Sequence, residues 1–293
     1  MQVVETIPAC RQALAKLRQF GGNVGFVPTM GALHRGHVSL MEACRSAADL
    51  SVASIFVNPT QFAPTEDLSR YPRPREHDLA LCEAAGVDLV FYPQVDEMYP
   101  PGGETTVVVS GLSTRWEGSI RTTHFQGVTT VVTKLFNIVC PEIAFFGQKD
   151  FQQQAILRRM VRDLDQPVEI RTCATIREPD GLAMSSRNVY LTSEQREIAA
   201  QIYQGLSAAE KLWLQGERSP GTLQREIESR VSLRPELSID YVAIVDPGTL
   251  LPLEAPHPGA VALVACKLGS TRLIDNLLLG TAAELLALPT TAR

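Results

Sequence analysis

Two imidazoles three positions apart carry the most distinctive chemistry of this chain, in Pro28-Thr29-Met30-Gly31-Ala32-Leu33-His34-Arg35-Gly36-His37. Just before them the apolar run 24–27 ends at Pro28, the pattern of a buried strand stopped by a residue that cannot donate to a ladder. Just after them Val38, Met41, Cys44 and Ala48 fall at three- and four-residue steps, one apolar stripe of a helix. The motif is therefore a strand-to-helix turn, whose unpaired N–H groups and dipole favour an anion above the strand end. Phosphate suits two imidazole donors, and the glycines at 31 and 36 leave room for a ligand to approach the backbone. A helix cap or an incidental metal pair is the competing reading. A metallopeptidase helix would need His-Glu-x-x-His and a third ligand, and this stretch lacks both.

Three further stretches carry matching polar groups. Gly147-Gln148-Lys149-Asp150 follows an apolar strand and opens a helix, which places Lys149 beside a second helix N-terminus, where a lysine suits phosphate. Met184-Ser185-Ser186-Arg187 offers two hydroxyls and a guanidinium able to grip a leaving pyrophosphate. Phe56-Val57-Asn58-Pro59-Thr60-Gln61-Phe62 leaves another strand, and its Asn58 and Gln61 offer uncharged donors to a small polar substrate; the alternative is a plain strand-end turn. Each stretch alone could be a surface loop. Together they converge on the strand carboxyl ends, where open α/β sheets bind ligands.

The elements that position these motifs are legible as alternating apolar runs and helical patterns. Runs at 24–27, 51–57, 87–92, 105–109, 143–146 and 168–173 read as six strands, with helices over 37–48, 76–85, 125–139 and 151–164. This alternation predicts an α/β fold with a parallel sheet and crossover helices. The proline-rich stretches 59–74 and 100–103 read as loops over the sheet rim. Past Cys173, the turn Arg177-Glu178-Pro179-Asp180-Gly181 leads to a helix opening at Thr192 with Gln195 as capping-box partner. A helix over 222–231 and strands at 239–245, 261–267 and 272–279 follow, the last two separated by Gly269-Ser270. The expected division is residues 1–175, the α/β domain, and 176–293, a smaller α+β domain with an antiparallel sheet.

Composition narrows the class of protein. A chain of 293 residues, 45% hydrophobic and 20% charged, can bury a sizeable core. Its net charge of -5 argues against a broad nucleic-acid surface. No segment approaches the roughly 20 apolar residues that span a bilayer, and no secretory leader precedes the first strand, so a cytoplasmic protein is expected. Six cysteines, never closer than 33 positions, form no metal-type pair and are expected to be reduced core residues.

Four motifs in order, Pro-Thr-Met-Gly-Ala-Leu-His-Arg-Gly-His, Phe-Val-Asn-Pro-Thr-Gln-Phe, Phe-Gly-Gln-Lys-Asp-Phe-Gln-Gln and Asp-Gly-Leu-Ala-Met-Ser-Ser-Arg-Asn, run through the chain. Over nearly its whole length it resembles the pantothenate synthetase family, the ligases that join pantoate to β-alanine. The resemblance implies a Rossmann-like nucleotidyltransferase domain, a C-terminal lid, a homodimer, and ATP with Mg²⁺. It implies that residues 30–37 and 147–150 border ATP, that Ile176 lies near the adenine, and that Met184, Ser185, Ser186 and Arg187 lie over the phosphates. By the same resemblance His37 is the general acid, with His34, Lys149 and Arg187 beside it in catalysis. Gln61 and Gln153 hold pantoate, Arg121 serves β-alanine or phosphate, and Asp78 serves magnesium. Two positions depart from the family pattern: Gln148 stands where many members carry an acid, and His77 stands beside Asp78 where some carry a second aspartate. The second departure leaves magnesium to be held mainly by ATP phosphates. The alternatives are another nucleotidyltransferase of the His-x-Gly-His type, which would have no use for the Phe-Val-Asn-Pro-x-Gln-Phe stretch, and a catalytically idle nucleotide sensor.

Overall fold

Every strand pairing in the N-terminal sheet is parallel, as strands separated by helices require. A computed structural model describes residues 1–19 and 21–280. Among these, β1 (Gln2–Val4), β2 (Val24–Thr29), β3 (Leu50–Ile55), β4 (Leu89–Phe91), β5 (Ile143–Gly147) and β6 (Glu169–Cys173) form one sheet in the order β1-β4-β3-β2-β5-β6. The chain travels outward from β2 through β3 to β4, then returns to the other side of β2 with β5. The reversal makes the carboxyl ends of β2 and β5 a topological switch point, the place where open α/β sheets bind ligands. The β2–β3 register continues to Thr29↔Ile55, whereas β2 pairs with β5 at Gly25↔Ile143 and Phe26↔Ala144. The β2–β5 pairing thus ends at Phe26.

Side-chain alternation covers both faces of this sheet. Val24, Phe26, Ala144 and Phe146 pack in one cluster with Cys10 and Leu14 of α1 (Ile7–Arg18). On the other face Val27, Ala53 and Phe145 pack against Met41 and Cys44 of α2 (Arg35–Ala47) and Cys82 of α3 (Arg75–Ala84). The short α4 (Val95–Met98) and α5 (Glu117–Ile120) precede α6 (His124–Val139), whose Val128, Val131 and Leu135 lie in the first cluster; α7 (Phe151–Asp163) leads to β6.

Strand pairing departs from the sequence reading at two places. The run 105–109 is not a strand. Its backbone is met by α6 side chains instead: Val107 N–H donates to Thr130 Oγ1 at 3.0 Å, and Thr129 Oγ1 donates to Val107 O at 2.6 Å. The sixth strand is β1, which pairs with β4 and is absent from the sequence reading, as is α1 with its N-cap Thr6 and a proline in its first turn.

The chain divides into two compact units, Met1–Gln148 with Ile156–Ala174, and Lys149–Ala155 with the chain from Thr175 onward. The sequence reading draws one uninterrupted cut between 175 and 176; the structure groups Lys149–Ala155 with the later residues. In the second unit, Thr192 and Gln195 form the expected capping box at α8 (Ser193–Ala199), but the helix breaks at Ala200 before α9 (Gln201–Leu214) and α10 (Pro220–Val231). Buried Ile202, Leu206, Trp213, Leu223 and Ile227 pack on the antiparallel sheet β7 (Leu237–Val245), β8 (Val261–Leu268) and β9 (Thr271–Leu278). The expected C-terminal domain runs to 293, and its residues 281–293 lie outside the described residues. No helix among the described residues is long and apolar enough to cross a membrane. Cys10, Cys44, Cys82 and Cys266 are buried as expected, but Cys140 is exposed, because it ends α6 in left-handed backbone just before Pro141.

Gly25 lets β2 lie directly against α2. A Cβ there would stand 2.5 Å from Cys44 Sγ and 2.8 Å from Ala48 Cβ. Gly25→Ala is expected to destabilise the N-terminal unit by roughly 1–3 kcal/mol through overpacking, read as a lower thermal midpoint by circular dichroism. An unchanged midpoint would contradict this packing.

Candidate active site

The first turn of α2 is closed by the two histidines themselves. His34, in extended backbone, is the N-cap; its Nδ1 accepts from Gly36 N–H at 3.1 Å, and His37 Nδ1 accepts from His34 N–H at 3.3 Å. The ring centroids are 4.2 Å apart and the planes tilt by 49°. A nitrogen that accepts carries no proton, so each neutral ring holds its proton on Nε2 and offers a donor there. The helix cap weighed in the sequence reading is thus present, made by the Nδ1 atoms of both rings.

The loop between β2 and the cap corrects a second expectation. Gly31 and Ala32 take left-handed backbone, φ +79° and +50°. The N–H groups of Ala32 and Leu33 donate to Asp78 Oδ2 and Oδ1 at 2.9 and 2.7 Å, and Gly31 N–H donates to Thr29 Oγ1 at 3.2 Å. Further along, the N–H groups of His37 and Val38 donate to His34 O at 2.8 and 3.1 Å. The backbone N–H groups expected to meet the anion are therefore largely engaged within the protein.

Asp78 is 1% exposed. Burial pushes its carboxyl up; the N–H groups of Leu33 and Ala32 and the charge of His77 offset this in part, and the net direction is upward. Both oxygens of the expected magnesium ligand are thus held by backbone. Among the described residues no group of three His, Cys, Asp or Glu side chains is placed to hold a metal ion.

β3 delivers Gln61 on a 3-10 turn over Pro59–Gln61 that Asn58 caps. Asn58 is 1% exposed and its amide is committed internally. Its Oδ1 accepts from Thr60 Oγ1 and Tyr99 Oη at 2.9 Å each, while Nδ2 donates to Gln61 Oε1 and Gly127 O at 3.1 Å each. The strand-end turn, the alternative weighed in the sequence reading, is what these Asn58 hydrogen bonds build. Gln61 Nε2 reaches Met30 Sδ at 2.9 Å, which joins this turn to the histidine loop. α6 backs the turn closely: a Cβ on Gly127 would lie 2.4 Å from Thr60 O.

Arg121 is likewise committed, where the sequence reading has it touching substrate. Its Nε and Nη2 donate to Glu66 Oε1 and Oε2 at 2.7 and 2.6 Å, Nη1 lies 3.6 Å from Glu117 Oε1, and Nη2 donates to Gln61 O at 3.3 Å. His124 Nδ1 stands 2.8 Å from the same Gln61 carbonyl and serves as its donor. Glu66 and His124, which the sequence reading misses, support Gln61 across 55 and 63 residues from their partners, a separation without sequence signal.

Of the remaining candidates, Gly147 and Gln148 belong to the first unit and the others to the second. Lys149 sits in the 3-10 turn Gln148–Asp150 before α7, with Nζ 3.9 Å from Asp150 Oδ1. Asn276 Nδ2 on β9 donates to its carbonyl at 2.8 Å. The neighbouring Asp275 is buried and takes both Nη atoms of Arg177, at 2.6 and 3.0 Å. Ile176 and Met184 face each other in a hairpin, Met184 N–H donating to Ile176 O at 3.0 Å, with Gly181 at φ +92° near its tip. Ser185 caps the turn Ser186–Tyr190, its Oγ accepting from Arg187 N–H at 3.3 Å. Gln153 is half-buried on α7.

A parallel sheet whose switch point presents two Nε2–H imidazoles on a helix start defines an α/β enzyme equipped for phosphate chemistry. The family model for pantoate-beta-alanine ligase matches residues 2–278. The pantothenate synthetase of Moorella thermoacetica is 52% identical over 279 residues, covering 95% of this chain and 99% of the relative; that of Thermotoga petrophila is 51% identical over 280, covering 96% and 100%. A crystal structure of the Thermus thermophilus pantothenate synthetase superposes with a TM-score of 0.92 at 50% identity, covering 96% and 100%. The Francisella tularensis pantoate-beta-alanine ligase, described as complexed with beta-gamma ATP and beta-alanine, gives 0.79 at 32%, covering 96% and 98%. The chain belongs to the pantoate–β-alanine ligase family, and it is a ligase.

Glu66 reports on the cluster behind Gln61. Burial alone would raise its carboxyl, but the hydrogen bond and charge of Arg121, with the Ala63 N–H and the His124 charge, hold it below the usual range. A depressed folded pKa contributes stability above the unfolded value of about 4.3 and loses it as pH falls through the folded value. The stability gap between this protein and Glu66→Gln is therefore expected to be constant from neutrality to about pH 5 and to close in stronger acid. Urea midpoints across that range check it, and a gap that persists in acid would contradict the ion pair.

Proposed function

We propose that the chain condenses pantoate with β-alanine in an ATP-dependent, AMP-forming reaction through pantoyl adenylate. The observation that carries this is the Gln61–Met30 contact at 2.9 Å, which sets an amide able to hold a hydroxy acid against the loop that bears the paired imidazoles. A transferase lacking an acid co-substrate would have no use for that turn. The beta-gamma ATP and beta-alanine of the Francisella relative's complex support ATP and β-alanine as substrates here.

In the first step the pantoate carboxylate oxygen attacks the α-phosphorus, and the bond to pyrophosphate breaks. In the second, the β-alanine amine attacks the activated carbonyl, the acyl–phosphate bond breaks with AMP leaving, and the amine loses a proton to form the amide. Negative charge grows on phosphoryl oxygens. The Nε2–H groups of His34 and His37, the Lys149 ammonium, the Ser185 and Ser186 hydroxyls and the Arg187 guanidinium supply donors for it. His37 acts as the general acid. Gln61 and Gln153 hold pantoate, and Ile176 lines the adenine.

Among the described residues no group of side chains is placed to cage a metal ion, and Mg²⁺ keeps its waters and prefers phosphate oxygens. We therefore assign Mg²⁺ to the ATP phosphates and route no step through a protein-held ion. An acyl adenylate hydrolyses readily, so the C-terminal unit, as a lid, would exclude water. Family membership alone supports a homodimer and a cytoplasmic location.

His37→Ala is expected to fold but to lose pantoate-dependent ATP–pyrophosphate exchange by on the order of a hundred- to a thousand-fold; unchanged exchange refutes the assigned role. Gln61→Ala is expected to raise the KM for pantoate far more than that for ATP, measured in the same assay. Equal increases would point to damage of the turn instead.

A further inference from the structure

We propose that Asp78 is a positioning residue of this reaction, an internal anion that holds the turn before His34 in its working shape and does not ligate magnesium. The proposal rests on the reading of the histidines as phosphate donors.

Gly31 and Ala32 are consecutive residues in left-handed backbone, which is unfavourable wherever a Cβ is present and persists only when its surroundings impose it. Here that conformation turns the N–H groups of Ala32 and Leu33 toward one point, and the Asp78 carboxylate occupies it, one oxygen to each N–H. Successive N–H groups arranged this way form an anion-binding concavity. In this chain the concavity is filled from within. The site is closed from the strand side as well: a Cβ on residue 31 would lie 2.8 Å from Asp78 Oδ2 and 3.0 Å from Ile55 Cγ2. Asp78 is anchored in the first turn of α3, where its N–H donates to Pro74 O at 2.9 Å. Leu33 directly precedes the N-cap His34, so the peptide plane that Asp78 fixes sets where both rings stand. A phosphate could not share the concavity without burying a second anion beside the carboxylate. Nucleotide phosphates are left to the imidazoles, and the carboxylate acts through the loop.

Asp78→Asn keeps the volume and one acceptor but turns an N–H donor against a second N–H. Hydrogen–deuterium exchange over residues 30–38 is expected to accelerate while exchange elsewhere stays unchanged. The kcat of ATP–pyrophosphate exchange is expected to fall about a hundredfold, with the KM for pantoate and the half-saturating Mg²⁺ concentration unchanged. Unaltered hydrogen exchange over 30–38 would overturn the proposal. So would a kcat restored by raising Mg²⁺, because that marks a metal ligand. If Asp78→Asn does not fold, Gly31→Ala probes the same contact from the loop side and carries the same expectations. If the unmodified protein shows no ATP–pyrophosphate exchange, the functional reading fails, while the hydrogen-exchange comparison still decides the Asp78 contact.

Discussion

A helix begins with N–H groups that have no partner within it, and at the start of α2 two imidazoles and one carbonyl take up that role where a ligand could have done so. Much of the site depends on this arrangement. Because each Nδ1 accepts a backbone N–H, the tautomer of both rings is set before any substrate arrives. The two rings pack with their centroids 4.2 Å apart. Preorganised donors of this kind need no reorientation when charge develops, which is where electrostatic catalysis gains most. The left-handed backbone of Gly31 and Ala32 and the buried carboxylate beneath it are what the arrangement requires of the neighbouring loop.

A second constraint acts on Gln61. Its carbonyl and its side chain are held from different directions by Asn58, Met30, His124 and Arg121, and the last is neutralised by Glu66. An arginine half-buried beside two carboxylates is more strongly held by them than by a transient ligand, since breaking such a pair leaves an uncompensated charge. The polar residues around Gln61 thus form a frame for one amide. Gly127 is part of that frame, because only a residue without a Cβ lets α6 approach the turn so closely.

In the second unit, Lys149 is tied through its carbonyl to Asn276, next to the Arg177–Asp275 pair that braces the hairpin leading to Ser185 and Arg187. These groups share a unit although Lys149 and Asn276 are 127 positions apart.

Local spacing was enough to place β2 through β6 apart from the run at 105–109, the capping box at Thr192, the three C-terminal strands and the four motifs, because periodicity and cap chemistry are properties of neighbouring residues. Donor supply is different, since it depends on which atoms meet in space. Val107 joins α6 instead of a strand because Thr129 and Thr130, more than twenty positions away, satisfy its backbone. Asn58 and Arg121 have the chemistry of substrate contacts and hydrogen-bond Gly127 and Glu66. Asp78 has the chemistry of a metal ligand and instead meets Ala32 and Leu33. The sequence by itself determined the kinds of groups, the strand ends they leave from and the family they mark. Only the tertiary structure decided which polar atoms are already engaged, because a hydrogen bond between residues 45 or 127 positions apart has no trace in the local pattern of either.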